Sequence, residues 1–174
     1  QPQAGDDAVA GGAERRQHDV TGLLAAQRVL AGPHLLEDIA VTDAGLAHLE
    51  SLSKLKSLYL WQTKVTDAGL QKLVTLTGLQ SLFLNKVELT DLGMKEIGKL
   101  ESLRLLSLIQ TRITDDGLKS LAGLKNLQHI DLCFTQISDR GVKELTGLKG
   151  LKSVFLNFNS VTDTGLKYLS ELKD

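Results

Sequence analysis

The sequence has few of the features that mark disulfide-bonded, membrane or nucleic-acid-binding proteins. Its one cysteine, Cys133, excludes an internal disulfide, and no apolar run approaches the length of a membrane span. The net charge of -1 leaves no general basic excess to attract nucleic acid or an acidic membrane. No phosphate-binding glycine loop and no Asn-x-Ser/Thr glycosylation site occur. We therefore expect neither nucleic-acid binding nor membrane insertion.

Residues that could support catalysis or metal binding are also sparse. Three of the four histidines are scattered before residue 49, without the spacing of metal ligands. His129 alternates with Asp131 and Cys133 along one predicted strand. At about 3.3 Å per residue, His129 and Cys133 lie roughly 13 Å apart, beyond hydrogen-bond reach. The sequence therefore predicts a non-enzymatic protein without a metal or cofactor, and these three residues are interpreted as a polar patch.

What the sequence does contain is one pattern of twenty-four residues, LxxLxLxxTxVTDxGLxxLxxLxx, written five times from residue 55 onward. The units begin at Leu55, Leu79, Leu103, Leu127 and Leu151. The seven apolar positions of the pattern hold Leu, Ile, Val or Met in all thirty-five instances. A fixed period of this length is typical of a leucine-rich-repeat solenoid. The predicted fold class is α/β, with a curved parallel sheet on the concave face and short helices on the convex face.

Each unit divides into a strand half and a helical half. Residues from Ser57 to Trp61 alternate between apolar and more polar positions, whereas from Val65 onward the apolar residues recur every three. The predicted strands are centred near Leu58, Leu82, Leu106, Ile130 and Val154. The predicted helices follow Asp67, Asp91, Asp115, Asp139 and Asp163.

The TDxGL phrase predicts how each helix begins. Thr66 is a suitable N-cap, and the carboxylate of Asp67 complements the helix dipole. Four of the five Asp residues have a Lys four positions later, which predicts an ion pair within each of those four helices. The recurring Gly costs about 1 kcal/mol relative to Ala inside a helix. We interpret it as a point of close approach between neighbouring units.

The repeated phrase also carries a resemblance to a known family. Residues 41–46 and 65–70 both read VTDAGL. In this the chain resembles a bacterial leucine-rich-repeat family, known chiefly from planctomycete proteins, whose units carry TxVTDAGLxxL. The resemblance covers residues 41–174 and implies the fold, but no particular function. Residues 113–118, ITDDGL, are similar to the repeats of F-box ubiquitin-ligase receptors, although those place Cys where this chain has Thr63, Thr111 and Thr135.

The ninth position of the unit predicts a gap in a ladder of side chains. Most leucine-rich repeats place there an Asn that bonds the backbone of adjacent turns. This chain has Thr63, Val87, Thr111, Thr135 and Asn159. A Thr hydroxyl can partly replace the amide, but Val87 cannot, so we expect the ladder to be interrupted there.

Composition separates an amino-terminal region from the repeats. No Lys precedes Lys54, whereas ten of the twelve Ala lie in the first 47 residues. Residues 1–30 are predicted to form a flexible tail and a capping helix, which should end before Pro33. Residues 31–174 are predicted to form the leucine-rich-repeat domain, and its first unit, 31–54, is degenerate.

The aromatic residues point to a binding surface. Six of the seven fall in the strand half of a unit, where the fifth and seventh positions should face the concave side. Exposed aromatic rings are enriched in interaction hot spots, so they favour protein or peptide recognition. Phe134 and Phe158, at the eighth position, are expected to pack at the turn instead. The candidate partner-binding residues are Tyr59, Trp61, Phe83, Ser107, His129, Asp131 and Phe155.

The predicted function is a non-enzymatic interaction module that binds a protein or peptide on its concave face. One alternative is a ubiquitin-ligase-type substrate receptor, although the Ala-rich segment before residue 41 shows no F-box pattern. The other is a structural or self-assembling fragment of a longer repeat protein. No polar cap follows the last unit, so we expect self-association through the carboxy-terminal edge or a longer native chain. The sequence is compatible with a cytoplasmic, periplasmic or secreted bacterial protein.

Overall fold

Five short parallel strands form the sheet of this protein, which a computed structural model describes over residues 41–172. The sheet order is β1-β2-β3-β4-β5, so each strand pairs with its neighbours in sequence. Leu58 aligns with Leu82, and every later pairing repeats the same step of one unit. The predicted positions and register are confirmed. The strands are Ser57–Tyr59 (β1), Ser81–Phe83 (β2), Leu105–Ser107 (β3), His129–Asp131 (β4) and Ser153–Phe155 (β5).

Helical segments follow every strand and return the chain to the start of the next one. The α-helices of the described region are Asp43–Leu46, Asp91–Ile97, Asp115–Leu118, Asp139–Leu145 and Asp163–Leu169. Its 3-10 helices are Ala47–Leu49, Gly69–Thr75 and Lys119–Gly123. The helices predicted after the repeated Asp residues are therefore present, but the one after Asp67 is a 3-10 helix that begins at Gly69.

A single core runs between the sheet and the helices. The inward residues Leu58, Leu82, Leu106 and Ile130 are fully buried, as is Leu60 just beyond β1. Beyond the strands, backbone hydrogen bonds continue to join the units, for example from Leu60 N–H to the Phe83 carbonyl at 2.8 Å. Each unit therefore buries its apolar side only against its neighbours, as a solenoid requires.

The repeated Asp residues join successive units rather than pairing with Lys. Asp67 accepts a hydrogen bond from the Thr90 amide at 2.9 Å and another from the Thr90 hydroxyl at 2.6 Å. The same arrangement links Asp43 to Thr66, Asp91 to Thr114, Asp115 to Ser138 and Asp139 to Thr162.

The predicted ion pairs within each helix are therefore wrong. Among the described residues, no ion pair joins one of these Asp residues to the Lys four positions later. The carboxylate instead takes two hydrogen bonds from the next unit, which fix it better than an exposed, flexible Lys would.

The predicted N-cap function holds at Thr90 but not at Thr66. The helical segment after Thr66 begins at Gly69 with Ala68 as its N-cap, although Thr66 Oγ1 accepts the Ala68 amide at 3.3 Å. Thr90 Oγ1 accepts a hydrogen bond from the Leu92 amide at 3.2 Å, within the first turn of its helix. Because the same hydroxyl donates to Asp67, it connects the cap of one helix to a residue that lies just before the preceding helical segment, Gly69–Thr75. Thr114, Ser138 and Thr162 cap their helices in the same way.

The recurring Gly of TDxGL leaves space for this carboxylate. A Cβ built on Gly117 would overlap with Asp91 Oδ1 and would lie 3.0 Å from Met94 Cγ. At Gly93, Gly141 and Gly165 the preceding unit's Asp likewise stands where a Cβ would be. The predicted close approach is confirmed, and the group that approaches is the Asp carboxylate.

Val87 makes no side-chain hydrogen bond, as predicted, but side-chain bonds to the backbone of adjacent units are also missing at the three Thr positions. Thr63, Thr111 and Thr135 each donate their hydroxyl to a carbonyl three residues earlier, at 3.0, 2.7 and 2.7 Å. Val87 is buried and has no group that can do so. Asn159 alone of the five bonds the backbone of an adjacent unit, since its Nδ2 donates to the Leu132 carbonyl at 2.7 Å and its Oδ1 accepts from the Ile137 amide.

The link between Asp139 and Thr162 should make the fold sensitive to acid. Hydrogen bonds from the hydroxyl and the amide of Thr162, and a weaker contribution from the Gly165 amide, lower the pKa of Asp139. Because the folded-state pKa lies below the unfolded value of about 3.9, the stabilisation is complete above that value and is lost as pH falls through the folded pKa.

We therefore expect Asp139→Asn to lower the urea midpoint at about pH 7, and the difference from wild type to shrink at about pH 3. Asp163→Asn is the matched control, because within residues 41–172 no hydrogen bond from another unit reaches the Asp163 carboxylate. If the urea midpoints of Asp139→Asn and wild type differ by the same amount at both pH values, the Asp139 carboxylate is not the source of the acid sensitivity.

Two sequence predictions concern residues outside the described part. The tail and capping helix predicted in residues 1–30, and the strand half of the degenerate unit 31–54, lie before residue 41. Of that unit the structure shows the helical half, with Thr42 bridged to Lys64 of the next unit. Within residues 41–172 no helix has the length and apolar character needed to cross a membrane.

Candidate functional site

Tyr59 and Phe83 form an aromatic stack on the concave face of the sheet. They are paired across β1 and β2, and their ring centroids lie 4.3 Å apart at an interplanar angle of 15°. Both side chains are half-buried, and the core lies on the opposite side of the strands, where Leu58 and Leu82 are fully buried. The prediction that these two rings stay out of the core is confirmed.

Trp61 lies two residues beyond Tyr59, toward the carboxyl ends of the strands. Its side chain is 46% exposed, and Lys86 Nζ lies 5.6 Å from the ring centroid. A cation over an indole ring is attracted by its negative face. Trp61 therefore combines a large apolar surface with a fixed neighbouring charge, next to two stacked rings.

Ser107 does not belong to an accessible surface, which corrects its place among the predicted contact residues. It is buried, and its hydroxyl donates to Asn85 Oδ1 at 2.7 Å. The same oxygen accepts the Ile109 amide at 3.0 Å. Asn85 occupies the seventh position of the preceding unit, where sequence reasoning looked only for aromatic rings.

His129 and Asp131 are half-buried on the concave side of β4, as the alternation predicts. Asp131 Oδ1 accepts the amide of Cys133 at 3.0 Å. Burial raises the pKa of the Cys133 thiol, and the hydrogen bond with Asp131 raises it further. The thiol is therefore held in its protonated form at neutral pH, which is the opposite of what a nucleophilic cysteine needs.

Phe134 and Phe158 form a second aromatic stack at the turn, and both rings are more exposed than the sequence predicts. Their centroids lie 4.1 Å apart at an interplanar angle of 12°, yet the side chains are 49% and 74% exposed. Both residues have a left-handed backbone, with φ of 57° and 59°. They were expected to pack at the turn, but this backbone directs each ring out of the core, so they pack on one another.

Phe155 lies on β5, the last strand, and is 51% exposed. Leu166 of the same unit is 58% exposed, whereas Met94, Leu118 and Val142 at the equivalent position are buried by the unit that follows. The predicted self-association through this edge stays a prediction. Size-exclusion chromatography with light scattering tests it directly.

Comparison with known proteins agrees with the architecture. The profile of a family described as "Leucine Rich repeat" matches residues 123–145. The chain folds as a leucine-rich-repeat solenoid. No curated protein matches it. Among residues 41–172 no group of three His, Cys, Asp or Glu side chains is placed to hold a metal ion.

Two solved structures show the same solenoid. An internalin (inlF) from Listeria monocytogenes superposes with a TM-score of 0.62 and 26% identity over 73% of this chain. The match spans only 36% of that internalin. An internalin C2 (inlC2) from the same organism gives a TM-score of 0.51 and 23% identity, covering 87% of this chain and 89% of its own. Leucine-rich-repeat solenoids are in general protein-interaction modules, and their concave surfaces commonly bind partners.

Proposed function

We propose that this solenoid binds a protein or peptide on its concave face, with Trp61 as the central anchor. The observation that carries the proposal is the group formed by Trp61 and the Tyr59–Phe83 stack, which lies outside the core with Trp61 46% exposed. Exposed apolar patches on soluble proteins mark interaction sites. Trp and Tyr are the residues most enriched where truncation costs most affinity.

Two observations favour binding over catalysis. The polar residues near the centre, His129 and Asp131, are half-buried, and the adjacent Cys133 thiol has a raised pKa.

The VTDAGL wording at 41–46 and 65–70 further supports the inference that these repeats are of the bacterial type known from planctomycetes. For repeats of that type, the functional class that fits this chain best is a bacterial interaction scaffold.

The test uses peptides selected against the wild-type chain from a displayed random library. Trp61→Ala should weaken binding of the selected peptides by at least about tenfold, because it removes the largest ring of the site. Leu92→Ala is the matched control. Leu92 is 65% exposed on the Asp91–Ile97 helix, so its removal deletes exposed apolar surface from the convex side. Equal losses for both variants would contradict a concave site.

A further inference from the structure

The two rims of the concave face differ in chemistry. Along one rim, the residue preceding β1, β3 and β5 is Lys56, Arg104 and Lys152 respectively, and all three side chains are exposed. None of the three forms an ion pair with another described residue. With strands about 4.8 Å apart, the backbone positions of neighbouring cations in this row are roughly 10 Å apart. We call this row the cationic rim.

The opposite rim, at the carboxyl ends of the strands, carries aromatic rings. Trp61, Phe134 and Phe158 form this aromatic rim, and all three are between 46% and 74% exposed. The first three units place Gln62, Lys86 and Gln110 where the last two place Phe, with the same left-handed backbone.

Neither the turn nor the core therefore requires Phe at this position. A bulky residue with positive φ is uncommon, and smaller or more flexible residues serve the same turn in the first three units. The exposed Phe pair is explained by a surface that another molecule covers.

The charges around the concave face indicate what covers it. Lys86 adds a fourth cation beside Trp61, whereas Asp131 is the single carboxylate in the strand columns. One oxygen of Asp131 already accepts the Cys133 amide. Because Asp131 lies near the centre, it disfavours a partner carboxylate there. A partner carboxylate is favoured instead at the cationic rim.

We propose that the occupant is an acidic, amphipathic polypeptide segment that lies across the strands. Its carboxylates face Lys56, Arg104 and Lys152, and its apolar side chains cover the aromatic rim. This inference deepens the proposed function and rests on it. It adds the chemical class of the partner and the orientation in which it binds.

A polypeptide fits these surfaces better than a single-stranded nucleic acid does. Nucleic-acid grooves of this kind offer free aromatic faces on which successive bases stack. Here Phe134 and Phe158 cover one face of each other, as do Tyr59 and Phe83. The net charge of -1 also supplies no wider basic surface for a phosphate backbone.

The first test is the composition of the peptides selected from the displayed library. Peptides whose binding depends on Trp61 should be enriched in Asp and Glu and should carry apolar or aromatic residues. Trp61 is the only tryptophan of the chain, so its fluorescence reports binding at the site directly. Trp61-dependent peptides that are neutral or basic overturn the inference but leave the proposed function intact.

The second test replaces each rim with residues that the chain itself uses at the same positions. Units two and four have Gln80 and Gln128 in place of the cations, so we change Lys56, Arg104 and Lys152 to Gln. Association of a selected acidic peptide should slow by about tenfold and lose most of its salt dependence. The control changes three exposed helix residues, Lys95, Lys143 and Lys167, to Gln. It should leave the association rate and its salt dependence nearly unchanged.

The aromatic rim is tested by Phe134→Gln combined with Phe158→Gln. Gln62 and Gln110 already adopt this left-handed conformation, so the fold should melt no earlier than wild type. The affinity for the acidic peptide should fall by about tenfold. Unchanged binding by both rim variants, or equal quenching of Trp61 by an oligo-dT strand, overturns the inference. Selected peptides that bind Trp61→Ala as well as wild type would instead refute the proposed function.

Discussion

Gly117→Ala is expected to lower the free energy of unfolding by about 1–3 kcal/mol, the range for overpacking a close-packed site. The new methyl group would overlap with Asp91 Oδ1. That oxygen accepts the Thr114 amide at 2.9 Å, while the other carboxylate oxygen accepts the Thr114 hydroxyl at 2.6 Å. The methyl group must therefore displace either the carboxylate or the helix, and either movement weakens the joint between units.

A control and a double variant make this prediction specific. Gly147→Ala adds the same methyl group where the nearest atom, the Glu144 carbonyl oxygen, lies 3.9 Å away, so stability should change little or rise slightly. Combining Asp91→Ala with Gly117→Ala should cost less than the sum of the two single changes, because the first removes the obstacle to the second. Strict additivity in urea denaturation would show that the carboxylate is not what excludes the side chain.

Leu60→Ala is expected to destabilise the fold by about 2–5 kcal/mol, whereas Trp61→Ala, one position away, should scarcely change it. Leu60 is fully buried in the core, so its truncation leaves a cavity. Trp61 is 46% exposed and leaves none. Thermal melting of the two variants measures their difference in stability. Retention of a selected peptide measures the loss of binding that is expected for Trp61→Ala.

The outcome separates packing from recognition. If Trp61→Ala melts as early as Leu60→Ala, the indole ring is part of the core and the concave-site proposal fails. If only Leu60→Ala melts early and only Trp61→Ala loses the peptide with its fold intact, the two neighbours have the opposite functions that their burial indicates.

The Asp, Thr and Gly of TDxGL show where sequence reasoning succeeds and where it stops. Local chemistry identified Thr as an N-cap and Gly as a point of close approach, and both hold at Thr114 and Gly117. It assigned Asp91 to a Lys of its own helix, because spacing along one helix is all that a sequence displays. The Thr114 groups that bind Asp91 come from the next unit, and only stacking brings them within reach.

The candidate site divides in the same way. Period-two alternation placed Tyr59 and Phe83 on one face, and the twenty-four-residue period placed them side by side. Ser107 was assigned to the same face correctly, but it is buried there, with its hydroxyl bonded to Asn85 of the preceding unit. Exposure is a property of the neighbours, so alternation alone cannot supply it.

The sequence by itself determined the solenoid, the register of its five strands and the apolar columns of its core, because each repeats a local pattern at a fixed period. Tertiary structure alone decided the partners of the repeated carboxylates and the exposure of the surface residues. It also decided the left-handed backbone that exposes Phe134 and Phe158 as a stacked pair. These depend on atoms brought together from different units, and contacts across units become defined only when the repeats stack.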